Sequence, residues 1–249
     1  MSPGSSGRAG GDGTPADAER FRDVLAELRA DGCNLLVVGD APRRLFTAAS
    51  AGLLGGPDET RYRLLAITDA SSRSVVERLP DPEAVPGSLA ETTEVVNHAA
   101  PPRSVAEEAG RPEAPPLSDI SEPSVADPEL AGLQADLAEA MAAFDCHAGG
   151  LDPGQLRVGV DSVGALVEHY DEDVVRRCLR VVTGYVSDYD AMGHYVLTEP
   201  YGSDRADRFA DEFDAVVELR AVDAAGRDHG AEERWHVPSR DLTTDWLPL

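Results

Sequence analysis

The chain has 249 residues, enough for one large domain or two small ones, and its 46 acidic residues against 22 basic ones give a net charge of −24. No run approaches the ~18 apolar residues of a membrane span, the leader MSPGSSGRAGGDGTPAD lacks the apolar stretch of a secretory signal, and no basic patch marks a nucleic-acid groove. Cys33, Cys146 and Cys178 share no CxxC spacing, which excludes a simple disulfide framework and favours a reduced, cytoplasmic protein.

All 22 basic residues are arginine, and lysine is absent. Such a carboxylate excess repels itself in dilute buffer, whereas at molar salt the Debye length falls to ~3 Å and the repulsion is screened. The composition therefore predicts a protein of a salt-accumulating cytoplasm, such as that of a halophilic archaeon. The alternative is an acidic protein from a GC-rich genome, which also favours arginine over lysine.

In chain order, residues 1–16 read as a disordered leader. DAERFRDVLAELRA then places Phe21, Val24, Leu25 and Leu28 on one helical stripe. A short buried strand over 34–39 runs into Gly39, and a helix follows from Arg43 to Leu54, stopped by Gly55, Gly56 and Pro57. A second strand spans 61–70 with its core at Leu64 to Thr68, and SSRSVVERL forms a short helix. Ten of the 18 prolines lie between 80 and 128, which reads as a flexible insertion holding one brief strand at 92–99. A helix with Leu130, Leu133, Leu137, Met141 and Phe144 at helical spacing follows, with Asp127 as its N-cap. Strand LRVGVDS (156–162) passes straight into helix VGALVEHY, and a longer helix runs from about Asp171 to Ala191. Strand GHYVLTEP, a short helix, and an antiparallel pair, FDAVVELRAVD and RWHVPS, complete the pattern. Alternating helices and buried strands predict one α/β domain over 17–249, with a mostly parallel central sheet, helices on both faces and an antiparallel C-terminal hairpin.

The turn after the first strand has the outline of a phosphate-binding loop, G-x-x-x-x-G-K-[ST]. Counted from Gly39, the second glycine is Arg44, the lysine is Leu45 and the hydroxyl residue is Phe46. Leu45 and Phe46 are expected to turn into the core, leaving Arg43 and Arg44 as the cations that could meet a phosphate. The second constellation is Asp161–Ser162 at a strand end, where an aspartate holds Mg²⁺ in nucleotide hydrolases. Its plainer role is to cap the helix starting at Val163. Ligands of open α/β sheets sit outside the carboxyl ends of the strands, so Gly39, Asp69, Asp161 and Glu199 are expected to face one strongly negative crevice.

Other groups carry less chemistry. Cys146–His147, His194 and His236 lack paired metal-ligand spacing, and Ser162 lacks a G-x-S-x-G elbow. Arg176, Arg177 and Arg180 follow Asp171, Glu172 and Asp173 on one helix and are expected to pack on acidic surface or on a partner. Tyr185, Tyr189, Trp235 and Trp246 form no stacking series for bases.

The order NLLVVG, RLLAITD, LRVGVDSVGALVEHYDEDVVRRCLRVVTGYV, HYVLTEP, FDAVVELR and RWHV resembles the RecA/KaiC-like ATPase superfamily. It is most similar to haloarchaeal members with decayed Walker A loops, inactivated RecA-like proteins implicated in signal transduction. The likeness spans roughly 20–247, and VDSVGALVEHYDEDVVRRCLRVV is its most specific piece. It implies a RecA-like P-loop NTPase fold, with Gly39 as the surviving Walker A glycine and Asp161 as the Walker B aspartate. Arg43, Arg44, Gly39 and Asp161 would then be a vestigial nucleotide site, with no catalytic residue, no metal and no cofactor. The expected role is a cytoplasmic regulatory or scaffolding protein in signalling or transcriptional control that works on an unidentified protein partner. The alternative is an atypical ATPase that binds ATP and Mg²⁺ with Arg43 or Arg44 in place of the lysine. A DNA-binding role rests on fold analogy alone.

Overall fold

The apolar runs at Tyr62–Ile67, Leu156–Asp161 and Met192–Leu197 become strands buried along their whole length. The computed structural model describes residues 15–68, 73–98, 130–223 and 229–249. In chain order its elements are α1 (Pro15–Ala30), β1 (Cys33–Asp40), α2 (Arg43–Leu54), β2 (Tyr62–Ile67), α3 (Arg73–Val76), β3 (Thr93–Asn97), α4 (Ala131–Ala148) and β4 (Leu156–Asp161). Then come α5 (Val163–His169), α6 (Glu172–Asp188), β5 (Met192–Leu197), α7 (Asp204–Ala210), β6 (Ala215–Ala221), β7 (Ala231–Val237), β8 (Leu242–Thr243) and β9 (Leu247–Pro248).

The strands form one sheet in the order β3-β2-β4-β5-β1-β6-β7-β8, with β9 also on β7. From β3 to β6 every pairing is parallel. The β6–β7 pair is antiparallel, with Val217 opposite Trp235. The fold is therefore α/β, with a mostly parallel mixed sheet flanked by helices and an antiparallel C-terminal hairpin.

Helical spacing decides which side chains cover the sheet. On α6, Val175, Cys178, Leu179, Val182 and Val186 form one buried stripe. With Leu133, Leu137, Met141 and Phe144 of α4 they pack over Leu36, Leu64, Val158, Val160 and Tyr195. On the other face, Val24 of α1 and Phe46 and Ala49 of α2 pack on Leu35, Val37, Val196, Val217 and Trp235. A smaller cluster of Leu54, Leu65, Ile67, Val75 and Val95 continues this core toward β3. The thiols of Cys33 and Cys178 belong to these cores, and burial raises their pKa values to about 12 and about 11.

Several boundaries differ from expectation. Helix α1 begins at Pro15, inside the stretch read as a leader, and residues 1–14 lie outside the described residues. Within the Pro-rich segment, residues 80–92 form turns that deliver β3 to the edge of β2, while 99–129, including Asp127, lie outside the described residues. Helix α6 stops at Asp188 because Asp190 takes a left-handed turn (φ 47°) that re-aims the chain into β5. Strands β8 and β9, two residues each, were not anticipated.

Two close approaches tie the middle of the sheet together. The Gly39 N–H donates to Glu199 O at 2.8 Å, and a Cβ at Gly39 would lie 2.3 Å from Leu219 O. This glycine is thus required by the neighbouring strand. Likewise a Cβ at Gly159 would lie 2.7 Å from the His194 ring, which needs that space to meet Ser50 Oγ of α2 at 2.7 Å.

His194 is fully enclosed, and its pKa falls to about 3, chiefly through burial and secondarily through the charges of Arg78 and Arg157, against a hydrogen bond to the Val158 backbone that raises it. In the unfolded chain a histidine titrates near ~6.5. The unfolded state therefore takes up a proton that the fold refuses, and stability contributed by neutral His194 is present above pH ~6.5 and lost as the pH falls toward 3. Denaturant melts of wild type and His194→Gln should show this directly. Wild-type stability is expected to drop more steeply than the variant's by up to about 1.4 kcal/mol per pH unit below pH 6. Parallel pH profiles would show that His194 protonates within the fold.

Candidate functional site

The carboxyl ends of β1, β4 and β5 meet where the β1–α2 turn passes over the sheet. That turn is two residues, Ala41–Pro42, because β1 persists to Asp40 and α2 starts at Arg43. A loop that cradles phosphate needs successive backbone N–H groups turned toward the anion. Pro42 has none, and the Leu45 N–H is taken by Pro42 O at 2.9 Å. Leu45 and Phe46 are buried, as expected, at 7% and 0% exposure. The positions of a phosphate-binding lysine and a metal-binding hydroxyl are core.

Asp161 ends β4 with its side chain 1% exposed. Arg43 Nη2 donates to its Oδ2 at 2.9 Å, and Arg78 Nη2 donates to the same oxygen. Arg43 reaches down from the first turn of α2 and is about two-fifths exposed, whereas Arg78 comes from the turn after α3 and is fully enclosed. The strand end itself is held by Thr68. Its N–H donates to Asp161 O at 2.8 Å, its hydroxyl donates to Ser162 O at 2.7 Å, and it accepts from Ser162 N–H at 2.6 Å. The Asp161–Ser162 peptide is cis. Capping of α5 falls to Ser162, whose Oγ accepts from Ala165 N–H at 3.2 Å, and Asp161 is left to the guanidinium groups.

The strongly negative crevice expected from the carboxylates is corrected here. Asp161 faces two arginines, and Glu199 is paired with Arg205. Gly39 and Glu199 are brought together through their backbones. Arg44 is exposed at the start of α2. Asp69 lies outside the described residues. Arg78 was missed from sequence. Its one local signal is its place three residues after the buried Val75, in the turn that follows α3.

The remaining candidates are structural. Arg176 and Arg180 pair with Glu212, in the turn after α7, instead of with the acids that precede them in sequence. Glu172 pairs with Arg208. His236 stacks on Tyr201 with ring centroids 4.0 Å apart and meets Glu218 Oε2 at 3.1 Å. Trp246 lies under the guanidinium groups of Arg220 and Arg234 at 3.8 and 4.4 Å. Among the described residues no group of three or more His, Cys, Asp or Glu side chains could hold a metal ion, and no helix is long and apolar enough to cross a membrane.

Fold and site together define an α/β protein whose strand-end aspartate is held by two arginines of its own chain. The chain belongs to a family of unknown function (DUF7504), whose model matches residues 32–219. No curated protein matches it.

A buried carboxylate stripped of its cation costs several kcal/mol. Replacing Arg78 with Met should lower unfolding free energy by about 3–5 kcal/mol, read by denaturant melts in molar KCl. Arg78→Met combined with Asp161→Leu should recover much of the loss, because Arg43 can return to solvent. A double variant no more stable than the single one would show that the enclosed pair is not the origin of the effect.

Proposed function

We propose that this protein is a RecA/KaiC-like domain that does not hydrolyse nucleotide and acts as a cytoplasmic regulatory or scaffolding protein through recognition of a protein partner. One observation carries the reading: Oδ2 of Asp161, the candidate Walker B carboxylate, is occupied by Arg43 and Arg78. Phosphoryl-transfer sites of this type need that carboxylate for the Mg²⁺ shell, a hydroxyl as co-ligand and a lysine on the β/γ phosphates. Here the hydroxyl position is Phe46 and the lysine position is Leu45, both buried.

Arg43 is committed to Asp161 through its Nη2. Arg44 is the cation left for the rival reading, an atypical nucleotide-binding enzyme. The preformed sheet and its paired, acidic surface are suited to recognition in a salt-rich cytoplasm, since charge pairs at the surface are screened there while the core is not.

Calorimetry with ATP and Mg²⁺ in molar KCl should give no saturable heat, and phosphate release should not exceed that of an Asp161→Asn variant. Affinity capture from a high-salt lysate should recover a protein partner. Saturable micromolar ATP binding that disappears in Arg44→Ala would replace this reading with the rival one.

A further inference from the structure

The opposite edge of the sheet holds a second feature. Between the last turns of α1 and α2 and the first residues of β4 and β5 lies a pocket of about 500 Å³. This is within the size range of small-molecule sites. Leu25, Leu53 and Trp235 supply an apolar wall, and Arg29, Arg61 and Arg157 supply cations. Three guanidinium groups converging on one pocket stand out in a chain of net charge −24.

Arg157 is the telling member. It is 6% exposed, its Nε has no hydrogen-bond partner, and its Nη1 contact is the thioether of Met192, a weak acceptor. No carboxylate among the described residues forms an ion pair with it. Arg63, one strand away, shares the unpartnered Nε, but its Nη groups donate to the carbonyls of Arg61, Gly55 and Gly56, each at 3.0 Å, where Arg157 has only the thioether. Arg61 is likewise engaged, by Gly154 O at 2.7 Å and by Glu59. The negative ends of α1 and α2 account for an arginine at the mouth such as Arg29. They do not account for an enclosed one on a strand.

Burial of an unpaired guanidinium is costly, and the cost is visible in the pKa of Arg157, lowered to about 10 first by burial and then by Arg61 and Arg29. An anion in the pocket offsets both the burial and the repulsion from Arg61 and Arg29. The carboxylates nearby bound its charge. Asp58 and Glu59 line the rim, and Glu233 lines the wall, where burial raises its pKa and the Trp235 indole N–H donates to it at 3.0 Å. A dianion would be repelled by this set, and a planar monoanion matches the arginine fork.

We propose that this pocket binds a small organic monocarboxylate, its carboxylate on Arg157 with Arg29 at the mouth and its apolar body against Trp235, Leu25 and Leu53. The site is at the amino ends of the strands and does not depend on the fate of the Asp161 edge.

Trp235 reports on occupancy directly. In a Trp246→Phe background, which leaves Trp235 as the sole indole, its fluorescence should change saturably with benzoate or hexanoate in molar KCl. Benzamide and hexanamide should bind at least about tenfold more weakly, the loss expected for one charged hydrogen-bond pair. Arg157→Met should abolish the response while melting no lower than its parent, because it removes an enclosed unpaired charge. Arg29→Gln, at an exposed position, should weaken binding without affecting the fold. The proposal is overturned if neither acid gives saturation, if acids and amides titrate alike, if Arg157→Met or Arg29→Gln binds as the parent does, or if inorganic phosphate competes better than the acids.

Discussion

A single carboxylate oxygen, Oδ2 of Asp161, accepts from two guanidinium groups that belong to different parts of the chain. Arg43 opens α2, Arg78 follows α3, and Asp161 closes β4, so the contact joins the two helical crossovers on one face to the centre of the sheet. An ionised carboxylate at 1% exposure is tolerable only when paired and hydrogen-bonded. Here the pairing also fixes where α2 can start. With Arg43 drawn to Asp161, α2 begins two residues past β1, and no length of chain remains to wrap an anion. Thr68 completes the constraint by stitching the end of β2 to the peptide after Asp161.

That constraint separates what could be read from the residues alone from what could not. The strands were legible because a parallel sheet covered on both faces demands continuous apolar runs such as LLVV and RLLAI. The helices were legible because their stripes repeat at helical period. The burial of Leu45 and Phe46 followed from the same logic. Arg78 was not legible, because the enclosure of a charged residue is decided by a partner 83 positions away. The polarity of the crevice was misjudged for a related reason: carboxylates were gathered by topology, while the arginines that neutralise them arrive from the first turns of α2 and α7 and from the turn after α3. Arg157 was hidden in a different way. It sits at a core position of β4, opposite Arg63 in the sheet register, and only the partners of the Nη groups, three carbonyls at Arg63 against a thioether at Arg157, tell the two apart.

The absence of lysine gives the chain one kind of cation with a rigid, planar fork. Such a fork can be shared between carbonyls, as at Arg63, laid on an aromatic ring, as Arg220 and Arg234 lie on Trp246, or bound to carboxylates from distant segments, as Arg176 and Arg180 bind Glu212. At molar salt the exposed pairs contribute little. The enclosed ones keep their strength, because ions do not enter the space between them. Electrostatic organisation in this fold therefore rests on a few buried guanidinium groups and not on the net charge.

The two edges of the sheet differ in how those groups are left. At the carboxyl ends, where open α/β sheets ordinarily receive ligands, positive and negative charges have been matched within the chain, and the surrounding donors are spent on capping and strand closure. At the amino ends, the Arg157 guanidinium is enclosed beside an apolar wall with no carboxylate among the described residues paired to it. An unmatched buried cation is a standing free-energy cost, and its presence at a core position that any apolar residue could fill calls for a compensating gain. In an otherwise acidic protein, that gain is available from an anion small enough to share the pocket with Trp235. The pocket and the Asp161 contact share one helix, α2, whose two ends they occupy. Its last turn walls the pocket, and its first residue is Arg43.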